Sequence, residues 1–413
     1  MRGRSHPIWW WRTSHDSVYP TEGNEAETLD QIPGPPVDAG ADEANDGVSG
    51  VRGEWTMLSV SRAGTAKERL EEYVQRGASR AAAVVNQVMS QVPSDALVPG
   101  HGLKFSAPEG RLSVGVPSVE REWGLHDNVL TQACSKAELP VAYARHLQSM
   151  PGWGPDLLAD NLTRLFVNGA TEQRYLVRSV DGQARGFLSS KYRRMDSRPI
   201  LDALLGELKE QGAVVSDGFA GDVRVQITAI LPRVVELIPG EPVVFGLSWV
   251  NSDFGRGALE ISGFAMRLVC INGMIGKSEI RKVHLGARLG EDFEYRRETY
   301  ALDTRTVASA TKDVVRHVLS PAAVERRSER ILAAVSMAAD PEAFRRREFR
   351  DLLTAPEIKA ATEKFNSLDV EDLPQGNTVW RLSNAISWLA NQAEGERRIE
   401  LQEVADKALD VAA

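Results

Sequence analysis

The spacing of apolar residues divides the chain into segments with helical and with strand periodicity. Residues 66–92 carry apolar side chains at intervals of three and four, which predicts a helix that Pro93 ends. GLKFSA and RLSVGV, separated by Pro-Glu-Gly, then alternate apolar and polar positions. A helix followed by a β-hairpin is therefore predicted at the start of the ordered part of the chain.

Three short helices are predicted after this hairpin. Asp127 is the expected N-cap of the first, Pro140 stands in the first turn of the second, and Pro155 begins the third. Leucines at helical spacing give the third helix one apolar side, and Gly169 closes it. We expect the three helices to pack as a small cluster.

A second hairpin and a long β region occupy the middle of the chain. Residues 173–190 place strand-like runs on both sides of Asp181-Gly182, a pair typical of two-residue hairpin turns. A helix is predicted from Ser197, and residues 223–273 are rich in alternating Val, Ile, Phe and Trp. Beyond Tyr300 the spacing is helical.

These segments together predict an α+β fold. Its elements are a mixed, mainly antiparallel sheet with helices packed on it, a disordered N-terminal tail and a helical C-terminal extension. The corresponding division of the chain is a disordered acidic tail (1–60), a helical segment (61–96), an α+β core (97–305) and a helical C-terminal region (306–413).

Charge is unevenly distributed along the chain, whose formal net charge is −8. Residues 1–60 hold ten acidic residues and four arginines, and they are rich in Pro and Gly. Such a segment cannot bury enough apolar surface to offset its conformational entropy, so we expect disorder there. The rest of the chain holds 45 of the 49 basic and 47 of the 57 acidic residues. Charge alone therefore neither requires nor excludes a nucleic-acid partner.

Apolar runs and cysteine content indicate where the protein resides. No run approaches the eighteen apolar residues of a membrane-spanning helix, and the stretch around Trp9–Trp11 is too short for a signal-peptide core. Two cysteines, Cys134 and Cys270, cannot build a disulfide framework, which is typical of a reducing compartment. We expect a cytoplasmic protein with no membrane partner.

Several short motifs follow one another in a fixed order. They are LTQACSKAELPVAYARHL, ARGFLSSKYRRMDSRPILDALL, GLSWVNSDFGRGALEISGFAMRLVCINGMI, KVHLG and GNTVWRLSNAISWLAN. The series resembles a family of phage, prophage and plasmid proteins known as domain of unknown function 932, over about two-thirds of the chain. The resemblance implies an accessory protein of a mobile element, and it supplies no catalytic residues.

The segment after the second hairpin carries the best candidate for ligand binding. Three cations and an aromatic residue stand together beside a predicted helix start, which suits binding of phosphate and of a stacked base. The residues predicted to contact nucleic acid are Lys191, Tyr192, Arg193, Arg194, Arg198 and Arg185, and Arg174 and Arg178 extend the surface. The alternative is structural, with Tyr192 in the core and the arginines solvated. The leading hypothesis is a non-enzymatic nucleic-acid-binding protein that acts on single strands in replication or recombination.

Two further hypotheses concern other parts of the chain. Arg267, Cys270, Asn272 and His284 could form an enzyme site, because a thiol nucleophile requires a nearby base. The structural alternative is that Cys270 ends an apolar strand as a buried residue. The third hypothesis is a module that binds a host protein through Trp9–Trp11 or the acidic tail, since aromatic residues dominate binding hot spots.

Two types of cofactor site lack their sequence signatures. The GMIGKS run from Gly273 has Ile271 where a phosphate-binding loop requires glycine. The seven histidines and two cysteines show no HxxxH or CxxC spacing. We therefore expect neither a nucleotide nor a metal cofactor.

Overall fold

The computed structural model of the chain describes residues 60–116, 120–169, 173–268, 272–282, 296–368 and 373–410. The predicted disordered tail lies outside these residues, apart from Val60. The described residues belong to one compact unit, within which the predicted α+β class is confirmed.

Eleven strands and eleven α-helices lie in the described residues. The strands are β1 (Ser94–Pro99), β2 (Lys104–Ser106), β3 (Ser113–Val116), β4 (Arg121–Leu125), β5 (Arg174–Val180), β6 (Gln183–Ser189), β7 (Val214–Ala220), β8 (Val225–Ile238), β9 (Glu241–Asn251), β10 (Leu259–Arg267) and β11 (Asn272–Lys282). The helices are α1 (Val60–Ser90), α2 (Asp127–Lys136), α3 (Val141–Ser149), α4 (Trp153–Val167), α5 (Ser197–Glu210), α6 (Arg297–Leu319), α7 (Pro321–Ser336), α8 (Arg347–Arg350), α9 (Ala355–Asn366), α10 (Val379–Gln392) and α11 (Gly395–Ala408). Within this part of the chain, none of the helices combines the length and apolar character needed to cross a membrane.

The first sheet contains six strands in the order β1-β5-β6-β4-β3-β2. All neighbours are antiparallel except β4 and β6, which pair in parallel. Residues on one face of β5 and β6 pack with α2, α3 and α4, and the Tyr175 and Phe187 rings stack there with centroids 5.0 Å apart. The opposite face carries Leu176 and Leu188, which Tyr192 covers.

The second sheet is an antiparallel meander in the order β11-β10-β9-β8-β7. Leu247 and Trp249 of β9 pack against α5 and α6, whereas Val244 packs with Leu70 of α1. Both faces of β9 are therefore covered, and all its residues after Glu241 are buried. The predicted strands form two sheets rather than one, and helix α5 lies along the chain between β6 of the first and β7 of the second.

Helices α7 to α11 pack around Trp380 and against Val243, Phe245 and Ala265 of the second sheet. Arg381, 4% exposed, donates hydrogen bonds to the carbonyl oxygens of Phe365, Ser367 and Pro374. This buried guanidinium thus holds the segment that follows α9. The sequence predicts one helix over residues 341–354, but a 3₁₀ turn and the short α8 occupy this stretch.

Local signals locate the hairpin turn between β5 and β6 and, to within one residue, the start of α2. Asp181 and Gly182 both have positive φ, at 51° and 77°, as the predicted hairpin turn requires. The predicted N-cap Asp127 is wrong by one position, because the Nδ1 atom of His126 accepts the hydrogen bond from the Asn128 amide.

Replacing Gly77 by alanine is expected to weaken the packing of α1 on β7. A Cβ atom at Gly77 would lie 1.8 Å from the carbonyl oxygen of Ser216, so the backbone must shift. We expect the free energy of unfolding to fall by about 1–3 kcal/mol, the usual cost of overpacking, in urea denaturation.

Gly206→Ala is the matched control, because Gly206 is exposed in α5 and an added Cβ there has no atom within 4 Å. The higher helix propensity of alanine should raise the free energy of unfolding by up to about 1 kcal/mol. Equal stability of the two variants would contradict the close contact at Gly77.

Candidate functional site

The cations singled out in the sequence lie where the two sheets meet. Residues 190–196 connect β6 of the first sheet with α5, and they lie beside β1 and α6. The connection between β9 and β10, residues 252–258, approaches from the second sheet. The amide groups of Asn128 and Gln132 fix it by donating hydrogen bonds to the Phe254 carbonyl at 3.0 and 2.9 Å.

Arg178 of β5 is the centre of this junction and is 2% exposed. Its guanidinium donates to the carboxylates of Asp95 and Asp196, each at 2.7 Å, and to the Asp253 carbonyl at 2.9 Å. Gly186 stands opposite Arg178 on β6 and lets the Phe254 backbone approach closely. Arg178 of the first sheet is thus hydrogen-bonded to the connection between β9 and β10 of the second sheet.

The electrostatics of the junction follow from burial and from this pairing. Burial alone lowers the pKa of Arg178, but Asp196, Asp95 and Asp253 outweigh it and raise the pKa. The Asp253 carboxylate accepts hydrogen bonds from the amide and the hydroxyl of Ser197 at 2.7 and 2.6 Å. Its pKa is nevertheless raised to about 6, by burial first and by repulsion from Asp196 second.

A cavity of about 480 Å³ opens beside this network. The Arg194 guanidinium lies 4.3 Å from the centroid of the Tyr300 ring, and its Nε donates to Asp95 at 2.5 Å. The Thr304 hydroxyl donates to the Arg194 carbonyl at 3.0 Å. The lining residues are Asp95, Leu97, Leu176, Arg194, Asp196, Tyr300, Ala301 and Thr304. The cavity therefore combines an aromatic ring, a cation, carboxylate acceptors and an apolar floor.

The predicted nucleic-acid-binding residues are placed in different surroundings. Tyr192 is buried, as in the structural alternative, and its hydroxyl donates to the Ser252 carbonyl at 3.2 Å. Arg185 is also buried and donates to the Asp222 carbonyl at 3.2 Å. Arg193 forms a bidentate pair with Asp303.

The remaining predicted residues are more accessible. Lys191 is half-buried and Arg198 is exposed in the first turn of α5. Arg194 is the predicted residue that lines the cavity.

Asp95, Tyr300 and Thr304 belong to the site but were not predicted from the sequence. They are distant from Arg194 along the chain, and only the pairing of β1 with β5 and the position of α6 bring them to it. Arg178 carried a usable signal, because a charged residue inside a strand buried on both faces requires a buried partner.

The proposed enzyme cluster is described only in part. Arg267 is 1% exposed and is paired with the carboxylate of Glu241. Asn272 begins β11, whereas Cys270 and His284 lie outside the described residues. The GMIGKS run lies within β11, so a strand occupies the position where a phosphate-binding loop would begin its helix. Among the described residues, no group of three His, Cys, Asp or Glu side chains is arranged to hold a metal ion.

A comparison with protein-family models, curated proteins and solved structures found no match to this chain. The resemblance inferred from the ordered motifs therefore stays a prediction.

Replacing Arg178 by methionine should destabilise the fold strongly. The change preserves much of the side-chain volume but leaves Asp95 and Asp196 without the buried cation that they share. We expect the free energy of unfolding to fall by about 3–5 kcal/mol, the typical cost of breaking a buried ion pair. Arg198→Met, on the exposed side of α5, should change it by no more than about 0.5 kcal/mol. Similar urea midpoints for both variants would disprove the central role of Arg178.

Asp253 should make stability depend on pH between about 4 and 6. Because its folded-state pKa is raised, the folded chain binds more protons than the unfolded chain in this window, so stability falls as pH rises. Asp253→Asn removes this contribution. The slope of the free energy of unfolding against pH should therefore change by up to about 1.4 kcal/mol per pH unit. Urea denaturation of both proteins across the window gives the two slopes. Parallel slopes would contradict the raised pKa.

Proposed function

We propose that the chain binds single-stranded nucleic acid at the junction of the two sheets. The observation that supports this proposal is the Arg194–Tyr300 pair at the wall of a cavity of about 480 Å³. That volume is within the roughly 300–1,000 Å³ of small-ligand sites. Aromatic rings and guanidinium planes are the groups on which unpaired bases stack.

The charges around the cavity favour a base inside it and the phosphates outside. Asp95 and Asp196 line the cavity, and their pairing with Arg178 and Arg194 leaves little net positive charge there to attract a phosphate group. Carboxylate oxygens instead accept hydrogen bonds from the exocyclic amino groups of bases. Arg178 and Arg194 hold both carboxylates in position.

Two cations lie on or shortly after the connection that borders the cavity. Lys191 is half-buried on this connection and Arg198 is exposed in the first turn of α5, where they can meet a sugar–phosphate backbone. A base inside a duplex cannot enter the cavity without leaving its stack. This arrangement therefore favours single strands over duplexes. From the motif resemblance, we further propose a role as an accessory protein in replication or recombination of a mobile element.

Fluorescence anisotropy of labelled single- and double-stranded DNA and RNA, titrated with the full chain at two salt concentrations, tests this proposal. We expect preference for single strands and affinity that falls with salt. Tyr300→Leu should weaken binding roughly 5- to 150-fold, which corresponds to about 1–3 kcal/mol per stacked base, whereas Tyr300→Phe should retain it.

Arg198→Gln should lower affinity for all sequences and reduce the salt slope by about one. Arg347→Gln, in the exposed part of α8, is the matched control and should have no effect. Absence of binding at low salt, or equal loss in both arginine variants, would contradict the proposal.

A further inference from the structure

A second cavity, of about 180 Å³, lies on the second sheet away from the Arg194–Tyr300 pair. Strands β7, β8 and β10 form its floor, and α1 and α11 form its walls. Its lining residues are Tyr73, Arg80, Asp217, Gly218, Phe219, Gln226, Thr228, Phe264, Met266, Ala393, Glu394, Gly395, Arg398 and Gln402. None of these residues takes part in the junction described above.

Two arginines face one carboxylate at this cavity. Arg80 donates both Nε and Nη2 to Asp217, at 2.9 and 3.1 Å, which satisfies the carboxylate in the bidentate manner. Asp217 also accepts a hydrogen bond from the Gly218 amide at 2.8 Å. The Asp217 carboxylate thus accepts hydrogen bonds from donors that lie closer to it than Arg398 does.

Arg398 is the second arginine, and its guanidinium is held only loosely. Its closest approach to Asp217 is 3.9 Å, beyond hydrogen-bonding distance, and it makes no hydrogen bond to other described residues. The side chain is 38% exposed at the cavity wall. Glu394, the other acid in the lining, is exposed at the rim, where solvent screens its charge. Arg398 therefore presents planar N–H donors that suit an oxyanion from outside the chain.

The rest of the cavity suits a compact apolar body. Phe219, Phe264 and Met266 supply apolar surface. The Gln226 amide donates to the Ser248 hydroxyl at 2.8 Å, so this polar part of the floor is internally satisfied. A cavity of roughly 150 Å³ accommodates benzene. A cavity of about 180 Å³ therefore has room for one ring-sized group.

We propose that this cavity binds a small molecule with one carboxylate or phosphate group and a compact apolar body. Arg398 pairs with the oxyanion, Arg80 remains on Asp217, and the apolar body packs against Phe219 and Phe264. The proposed site shares no lining residue with the cavity proposed to bind a nucleic-acid base.

Isothermal titration calorimetry of the full chain with benzoate, benzamide and inorganic phosphate, at constant ionic strength, tests the site. We expect benzoate to bind and its neutral counterpart benzamide to bind at least tenfold more weakly. Arg398→Gln should weaken benzoate binding at least tenfold. Arg347→Gln is the matched control, because it removes an exposed arginine outside the cavity, and it should leave binding unchanged.

Thr228→Leu gives a second test that leaves every charge in place. The larger side chain narrows the floor of the cavity, so benzoate binding should also fall at least tenfold. Thermal melting of each variant without ligand establishes that it is folded. Binding of phosphate but not benzoate would overturn the apolar part of the proposal. No binding of benzoate or phosphate, or unchanged benzoate binding by folded Arg398→Gln, would overturn the site itself.

Discussion

The way the two sheets meet depends on one buried cation, Arg178. A guanidinium that is 2% exposed is tolerated only where acceptors replace its water, and Asp95, Asp196 and the Asp253 carbonyl supply them. These partners come from β1, from the connection before α5 and from the connection between β9 and β10. Satisfying one charge therefore fixes how the first sheet meets the second.

Internal pairing of arginine recurs through the chain. Arg316 of α6 forms a bidentate pair with the buried Glu207 of α5, and Arg330 of α7 reaches Asp406 of α11. Arg381 donates to backbone carbonyl oxygens instead of carboxylates. These arginines hold distant parts of the chain together, and their charges are satisfied by groups inside the protein.

The arginines at the two cavities differ in how firmly neighbouring groups hold them. At the junction, Arg194 is held by Asp95 and by the Tyr300 ring, so its guanidinium is a fixed wall of the cavity. At the second cavity, Arg80 occupies Asp217 and leaves Arg398 at 3.9 Å. A fixed cation gives shape and stacking surface, whereas a loosely held one offers donors to a ligand. The two sites consequently suit different ligands.

The sequence by itself determined many of the helices and strands, because periodicity and turn residues act over short stretches of chain. The hairpin at Asp181-Gly182, the helix after Thr378 and the apolar strands of the second sheet follow from such local preferences. The strand patterns of the middle region did not reveal two sheets, since the pattern within one strand does not specify which other strand pairs with it. Tertiary structure alone decided which of the predicted cations remain accessible, because Asp95, Asp303 and Tyr300 reach residues 190–196 only through strand pairing and helix packing. An arginine's availability is set by the acids that folding brings within a few ångströms, and those acids are distant along the chain.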